Sequence, residues 1–286
     1  MWRDVPLCCP ICDGELNGQN GSLRCAQAHT FDVARAGYVN LLVLRKTPKI
    51  LGDGKEMLRA RHAFLQAGYY APLSDAVNAM AGAHWAEEPQ NATRRCLVDA
   101  GCGTGYYLGR LHRHLHEQHS STPPCCGLDI AKEGVRLAAK QHKECVFVVA
   151  DVNRRIPLPH ASAQVLLNLF APRHAAEFAR IVAPGGLLLV VIPTPEHLIE
   201  LRAQLPLLDI PANKRTHVRE QFQSAFHLAD VQTVRHTLDL SGPAVVNLIQ
   251  MTPNYWHLTE QERAQLDTST SFSVTVSVEL LAFVRQ

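Results

Sequence analysis

Between residues 93 and 192, short apolar runs alternate with stretches whose apolar positions recur at helical spacing. The runs 96–100, 125–129, 146–150, 165–169 and 187–192 are too short for helices and predict buried strands. The segments between them predict helices, so the alternation describes βαβ units on a parallel sheet and places the chain in the α/β class. Pro184-Gly185-Gly186 predicts a turn feeding the fifth strand. Beyond residue 200 the pattern weakens until Phe272-Ser273-Val274-Thr275-Val276-Ser277-Val278-Glu279-Leu280, whose period of two predicts a late, half-buried strand. Ahead of the sheet, residues 46–54 read as an irregular connector. Helices are predicted over 55–65, ending before Gly68, and over about 72–83, before a polar break at 87–93.

Composition narrows the class. A chain of 286 residues accommodates one α/β core with a small accessory module. The net charge of +2 is too small to imply nucleic acid by itself. Its distribution says more: Arg35, Arg45, Lys46, Lys49, Lys55, Arg59 and Arg61 face only Asp53 and Glu56 across 35–62. That strip either follows a phosphate backbone or is a solvated face. The nine cysteines form no extracellular framework, and no apolar run approaches the ~20 residues of a membrane span. With no secretory leader pattern at the first residues, the expected location is the cytoplasm.

Chemistry is concentrated in two motifs. Cys9, Cys12, Cys25 and His29 have the spacing C-x2-C-x12-C-x3-H, with Asp13-Gly14 and Asn20-Gly21 as turns between the pairs. Four ligands of this kind close a tetrahedral Zn²⁺ site with no open position, so the metal is structural. Cys8 is the neighbouring alternative, but Cys9 has the Cys-Pro-x-Cys spacing. In the second motif, Asp99-Ala100-Gly101-Cys102-Gly103-Thr104-Gly105 follows a predicted strand and opens a helix near Tyr106. Glycines there let the backbone turn sharply against a nucleotide-like cofactor. Asp129, ending the next strand, is placed to accept both ribose hydroxyls. A Walker lysine is missing, which disfavours ATP. Asp99 is unwelcome beside a pyrophosphate but suits a cation, which favours S-adenosylmethionine over a nicotinamide dinucleotide.

These residues carry a resemblance. The glycine loop looks like motif I of class I methyltransferases and Asp129 like their motif II acid. Cys9-Pro10-Ile11-Cys12, His29-Thr30-Phe31-Asp32-Val33-Ala34-Arg35, Gly37-Tyr38-Val39-Asn40-Leu41-Leu42, Gly68-Tyr69-Tyr70-Ala71-Pro72-Leu73, Phe170-Ala171-Pro172, Pro184-Gly185-Gly186, His197-Leu198 and Gln250-Met251-Thr252-Pro253 together resemble the 23S ribosomal RNA guanine-N1 methyltransferases. The resemblance implies a Rossmann-like, seven-stranded, mostly parallel sheet behind a small zinc-binding domain. It also implies S-adenosylmethionine as methyl donor, a guanine in a hairpin loop of 23S ribosomal RNA as target, and a homodimer. Family cofactor positions carry over to Tyr70, Gly103, Thr104 and His197, and the zinc ligands to Cys9, Cys12, Cys25 and His29. Of the family's two branches, Asn168-Leu169-Phe170-Ala171-Pro172-Arg173 and Asp32-Val33-Ala34-Arg35 look more like the one linked to macrolide resistance.

The expected organisation is a zinc-binding RNA-recognition module over 1–34, a basic linker with helices over 35–92, and a methyltransferase domain over 93–286. The expected cofactor set is Tyr70, Gly101, Gly103, Thr104, Gly105, Asp129, Asp151 and His197. Asn168, at the end of the fourth strand, is the candidate catalytic residue if it faces substrate rather than capping the strand. Phe170 either stacks on an extruded base or belongs to the core. Asp151 either meets an adenine amine or caps a turn. The histidines between Leu111 and His119 read as a solvated helix end, because on a helix His112 and His116 share a face while His114 points elsewhere, and no carboxylate or cysteine completes a metal site. Outside this class, the alternatives are a non-catalytic zinc-dependent RNA-binding protein and a small-molecule methyltransferase.

Overall fold

A computed structural model of the protein describes residues 2, 4–43, 53–87, 96–118, 123–205, 207–252, 255, 258–265 and 271–286. Arg45, Lys46, Lys49, most of the connector, the end of the polar break, His119 and Pro253 lie outside these residues.

Near the N-terminus, β1 (Asn17–Gln19), β2 (Ser22–Arg24) and β3 (Thr30–Asp32) form a small antiparallel sheet. Its first hairpin turns at Asn20-Gly21, both with positive φ, as a tight two-residue hairpin requires. There follow β4 (Tyr38–Asn40), α1 (Lys55–Gln66), α2 (Ala71–Glu87), β5 (Cys96–Ala100), α3 (Tyr106–Gln118), β6 (Cys125–Asp129), α4 (Lys132–Gln141) and β7 (Val146–Val149). The second half contains β8 (Ala163–Leu169), α5 (Ala175–Ile181), β9 (Val182–Pro193), α6 (Ile199–Arg202), α7 (Lys214–Phe222), β10 (Phe226–Leu240), α8 (Gly242–Gln250), α9 (Glu260–Gln265) and β11 (Phe272–Arg285).

Eight strands form the main sheet in the order β10-β11-β9-β8-β5-β6-β7-β4. All neighbours pair in parallel except β11, which is antiparallel to β9 and β10. The chain runs outward from β5 through β6 and β7, then returns to β8 and β9 on the other side. The strand order therefore reverses between β5 and β8, and the crevice at their carboxyl ends is where an open α/β sheet binds ligands. Successive residues point to opposite faces, with Leu97 and Val98 both fully buried but in separate apolar clusters. Cover on both faces explains why these strands read as continuous apolar runs.

Three expectations change. The seven-stranded sheet gains an eighth strand because β4 lies parallel to β7, with Val39 opposite Val148 and fully buried. The segment expected as a linker is thus part of the core: α1 buries Met57, Leu58, Ala60, Phe64 and Leu65. Finally, Pro184-Gly185-Gly186 lies inside β9 as an irregularity rather than ahead of it, with Gly185 at φ +76°.

The small sheet is fastened to the large one. Its Val5, Leu7, Leu16 and Leu23 share an apolar cluster with Val98, Leu128 and Leu166. The Cys8 amide donates to the Pro157 carbonyl at 3.0 Å, and Arg155 pairs with Asp13 at 2.5 Å. Among the described residues no helix is long and apolar enough to cross a membrane.

Candidate active site and metal centre

The zinc ligands meet as their spacing predicts. The Sγ atoms of Cys9 and Cys25 lie 3.5 and 3.4 Å from His29 Nδ1, and Cys12 Sγ lies 3.6 Å from Cys25 Sγ. Ordinary zinc bond lengths give tetrahedral edges of about 3.8 Å between sulfurs and about 3.6 Å between sulfur and nitrogen, so the donor set fits the ion. Asp13 and Ala28 take positive φ, which bends each knuckle toward the centre. Cys8 stays outside the set, forming a backbone bridge with Glu15 instead.

At the sheet's switch point, the loop between β5 and α3 is held by backbone bonds: the Gly101 and Cys102 amides both donate to the Leu128 carbonyl, at 2.8 and 3.0 Å. Gly101 has φ +90°, and a Cβ there would stand 2.3 Å from that of Ala171, so no other residue fits. Gly103 donates its N–H to Asp129 Oδ2 at 2.8 Å, while Ala131 donates to Oδ1 at 2.8 Å. The Asp129 carboxylate is thereby fixed at the strand end with a lone pair left on each oxygen for a ribose hydroxyl. Burial raises its pKa although these two amides pull it down. Thr104 is buried, and Gly105, with φ +77°, packs against Ala138 and Phe147.

Asp99 is 1% exposed, and its Oδ1 has no hydrogen-bond partner. Burial, with the Asp129 charge beside it, pushes its pKa up to about 8. An orphaned acidic oxygen behind a glycine loop fits a ligand that brings its own positive charge, and the residues therefore fit S-adenosylmethionine.

A second wall is aromatic. Tyr70, Phe170 and His197 come from three separate segments, and their ring centroids are 6.5 Å apart pairwise. The Ser277 amide donates to His197 Nδ1 at 3.2 Å, so the neutral ring carries its proton on Nε2, which faces the Tyr70 hydroxyl at 3.5 Å. Burial holds the His197 pKa down at about 4, with Arg202, His236 and Lys214 adding to the effect, and burial raises that of Tyr70. Phe170 is 44% exposed and has φ +54°. It is therefore not core, and a bulky residue in the left-handed region marks local strain.

Two residues occupy other places than the substrate-side ones expected. Asn168 is 0% exposed, and its Nδ2 donates to the carbonyls of Ala100 and Pro172 at 3.0 and 2.9 Å. It braces the two loops of the crevice, and its N–H groups do not reach a substrate. Asp151 accepts from the Asn153 amide at 3.0 Å and lies 3.4 Å from Arg154, which is the turn-capping arrangement. Sequence reasoning missed Arg61, placed with the basic strip. It pairs with Asp53, donates to the Met251 carbonyl at 2.8 Å and lies over Gly103. The helical spacing of α1 puts it on the side turned toward the loop, but charge counting does not reveal that.

A switch-point glycine loop with strand-end acids, behind a zinc-binding ribbon, defines an S-adenosylmethionine-dependent methyltransferase of the class I fold. Family profiles agree: "RlmA, N-terminal", a zinc ribbon, matches residues 7–48, and "Methyltransferase domain" matches 98–190. The chain belongs to the 23S rRNA (guanine-N1)-methyltransferase family. It is 39% identical over 260 residues to the 23S rRNA (guanine(748)-N(1))-methyltransferase of Streptomyces fradiae, covering 91% of this chain and 89% of that one. A Micromonospora griseorubida protein provisionally described as a 23S rRNA (guanine-N(1)-)-methyltransferase is 40% identical, over 88% of this chain and 87% of its own. Among solved structures, magnesium protoporphyrin IX methyltransferase from Synechocystis PCC 6803 is 16% identical with a TM-score of 0.46, covering 78% of this chain and 87% of that chain. Geranyl diphosphate C-methyltransferase from Streptomyces coelicolor A3(2) is 15% identical with a TM-score of 0.44, covering 74% and 76%.

Proposed function

We propose that this chain methylates N1 of a guanine in a hairpin loop of 23S ribosomal RNA, at the position for which the Streptomyces fradiae relative is named. Bound S-adenosylmethionine supplies an electrophilic methyl group. Asp129 and the amides around Gly103 would hold its nucleoside, Asp99 would complement its positive charge, and Tyr70 with His197 would line the pocket. In-line transfer to a ring nitrogen depends mainly on alignment, so the chain's main contribution is to fix the base at near-attack distance. Phe170 receives the unstacked guanine on its exposed ring face. The reading rests chiefly on one observation: a strained, exposed phenylalanine beside the Tyr70–His197 pair at the mouth of the cofactor crevice. Asn168 acts from behind as a positioning residue.

The zinc ribbon, fastened beside the sheet, grips RNA through phosphate contacts and loop shape. The homodimer and the resistance branch are the finer readings that the family motifs support, and nine cysteines outside any disulfide, three of them zinc ligands, support a reducing cytoplasm. The test is to incubate the protein with S-adenosylmethionine and a transcript of the target hairpin, then map reverse-transcription stops, since N1 methylation blocks the pairing edge. A stop at the target guanine is expected. Phe170→Ala should lower the rate about 10- to 100-fold, in keeping with ~1–3 kcal/mol per stacked base. A transcript left unmethylated by the wild-type protein would overturn the assignment.

A further inference from the structure

The histidine-rich end of α3 lacks partners in its own sequence, but the fold supplies them. Glu144 and Cys145, just ahead of β7, bring a carboxylate oxygen and a thiol to within 4.8 Å of the His112 imidazole and of each other. The three lie at the amino ends of β6 and β7, at the opposite end of the sheet from the glycine loop. We propose that His112, Glu144 and Cys145 form a second metal site, taking a borderline divalent cation such as zinc. It is separate from the ribbon centre and from the cofactor crevice.

The donors are of the right kinds. Imidazole, carboxylate and thiolate are zinc's three protein ligands, and three of them leave one position for water. Their surroundings restrict them as ligands are restricted. The His116 ring lies one helical turn from that of His112 and nearly parallel to it, at 9° and 6.5 Å between centroids. Cys145 is buried, and the Cys125 thiol donates to the Glu144 carbonyl next to it at 3.9 Å. His142 Nδ1 stands 3.6 Å from Glu144 Oε1, a neighbour placed as outer partners are at metal sites. Glu144 is exposed, so the ion has a path in from solvent. Bound metal would tie the C-terminal half of α3 to the base of β7, joining residues more than thirty positions apart.

The test is zinc stoichiometry of the full-length protein, measured by elemental mass spectrometry after loading with zinc and removal of free ion. The wild type is expected to retain two zinc ions per chain. His112→Ala is expected to retain one, with methyl transfer unchanged because His112 is remote from the crevice. His112 is half-buried on a helix surface, so this variant tests the site even if Cys145→Ser fails to fold. A single ion in the wild type, two ions in His112→Ala, or a Cys125–Cys145 disulfide in place of metal would each overturn the proposal.

Discussion

The ribbon and the sheet use the same residue type for opposite ends. In the ribbon, Cys9, Cys12 and Cys25 converge with His29 on one point, although Cys9 and Cys25 also lie buried in a cluster with Val5, Leu7, Leu16 and Leu23. In the sheet, Cys96 and Cys126 are buried in a cluster with Val98, Leu128 and Leu166, and Cys102 in the other apolar cluster with Leu97 and Phe147, and among the described residues none of the three converges with other metal ligands. Burial raises the pKa of all three. The ribbon depends on an ion for its fold, whereas the sheet depends on apolar surface removed from water. Cysteine count therefore says little, and the spacing with the company of each thiol says nearly everything.

Cys12→Ser breaks the comparison hardest. It should remove the ribbon zinc and, with it, ordering worth on the order of 10 kcal/mol in small zinc modules. Methylation of the RNA hairpin should fall far more than cofactor affinity, which calorimetry can separate. Equal losses in both would mean that the ribbon is a structural part of the cofactor site.

Asp99→Asn sharpens the other side. Burial and the Asp129 charge push the Asp99 pKa up to about 8 in the folded chain, against about 4 in the unfolded one. The folded state thus binds the extra proton between about pH 4 and 8, and stability should fall as pH rises through that window. The asparagine variant should lose this slope in thermal unfolding. Cofactor binding draws on the ionised form, so wild-type affinity should rise with pH up to about 8, while the variant should bind about 10- to 100-fold more weakly and without that trend. The smallest effect belongs to Cys126→Ala, expected to cost about 1 kcal/mol in denaturant unfolding and to leave zinc content untouched.

Much of this was legible because burial writes itself into sequence. The runs at β5 to β9 have no polar interruption apart from functional or bracing groups such as Asp99 and Asn168. The ribbon ligands were legible because turns fix their spacing locally. What escaped was decided by partners distant in the chain. β10 is a long edge strand with much of one face in water, and a bulge between Leu228 and Asp230 interrupts its alternation. β4 is only three residues long, and nothing but its place beside β7 makes it a strand. His112 looked solvated because Glu144 and Cys145 reach it only through the packing of α3 over the sheet. Asn168 and Asp151 had polar ends in promising places, but nearby backbone groups took up the Nδ2 of Asn168 and an oxygen of Asp151.

Because Tyr38, Val39 and Asn40 are hydrogen-bonded into the sheet, the head of the molecule cannot swivel independently of the body. Under the proposed function, the span from ribbon to crevice acts as a gauge: an RNA gripped at one end would present a set nucleotide at the other. On that reading, the choice of target nucleotide follows from the distance along the fold that the packed ribbon holds constant.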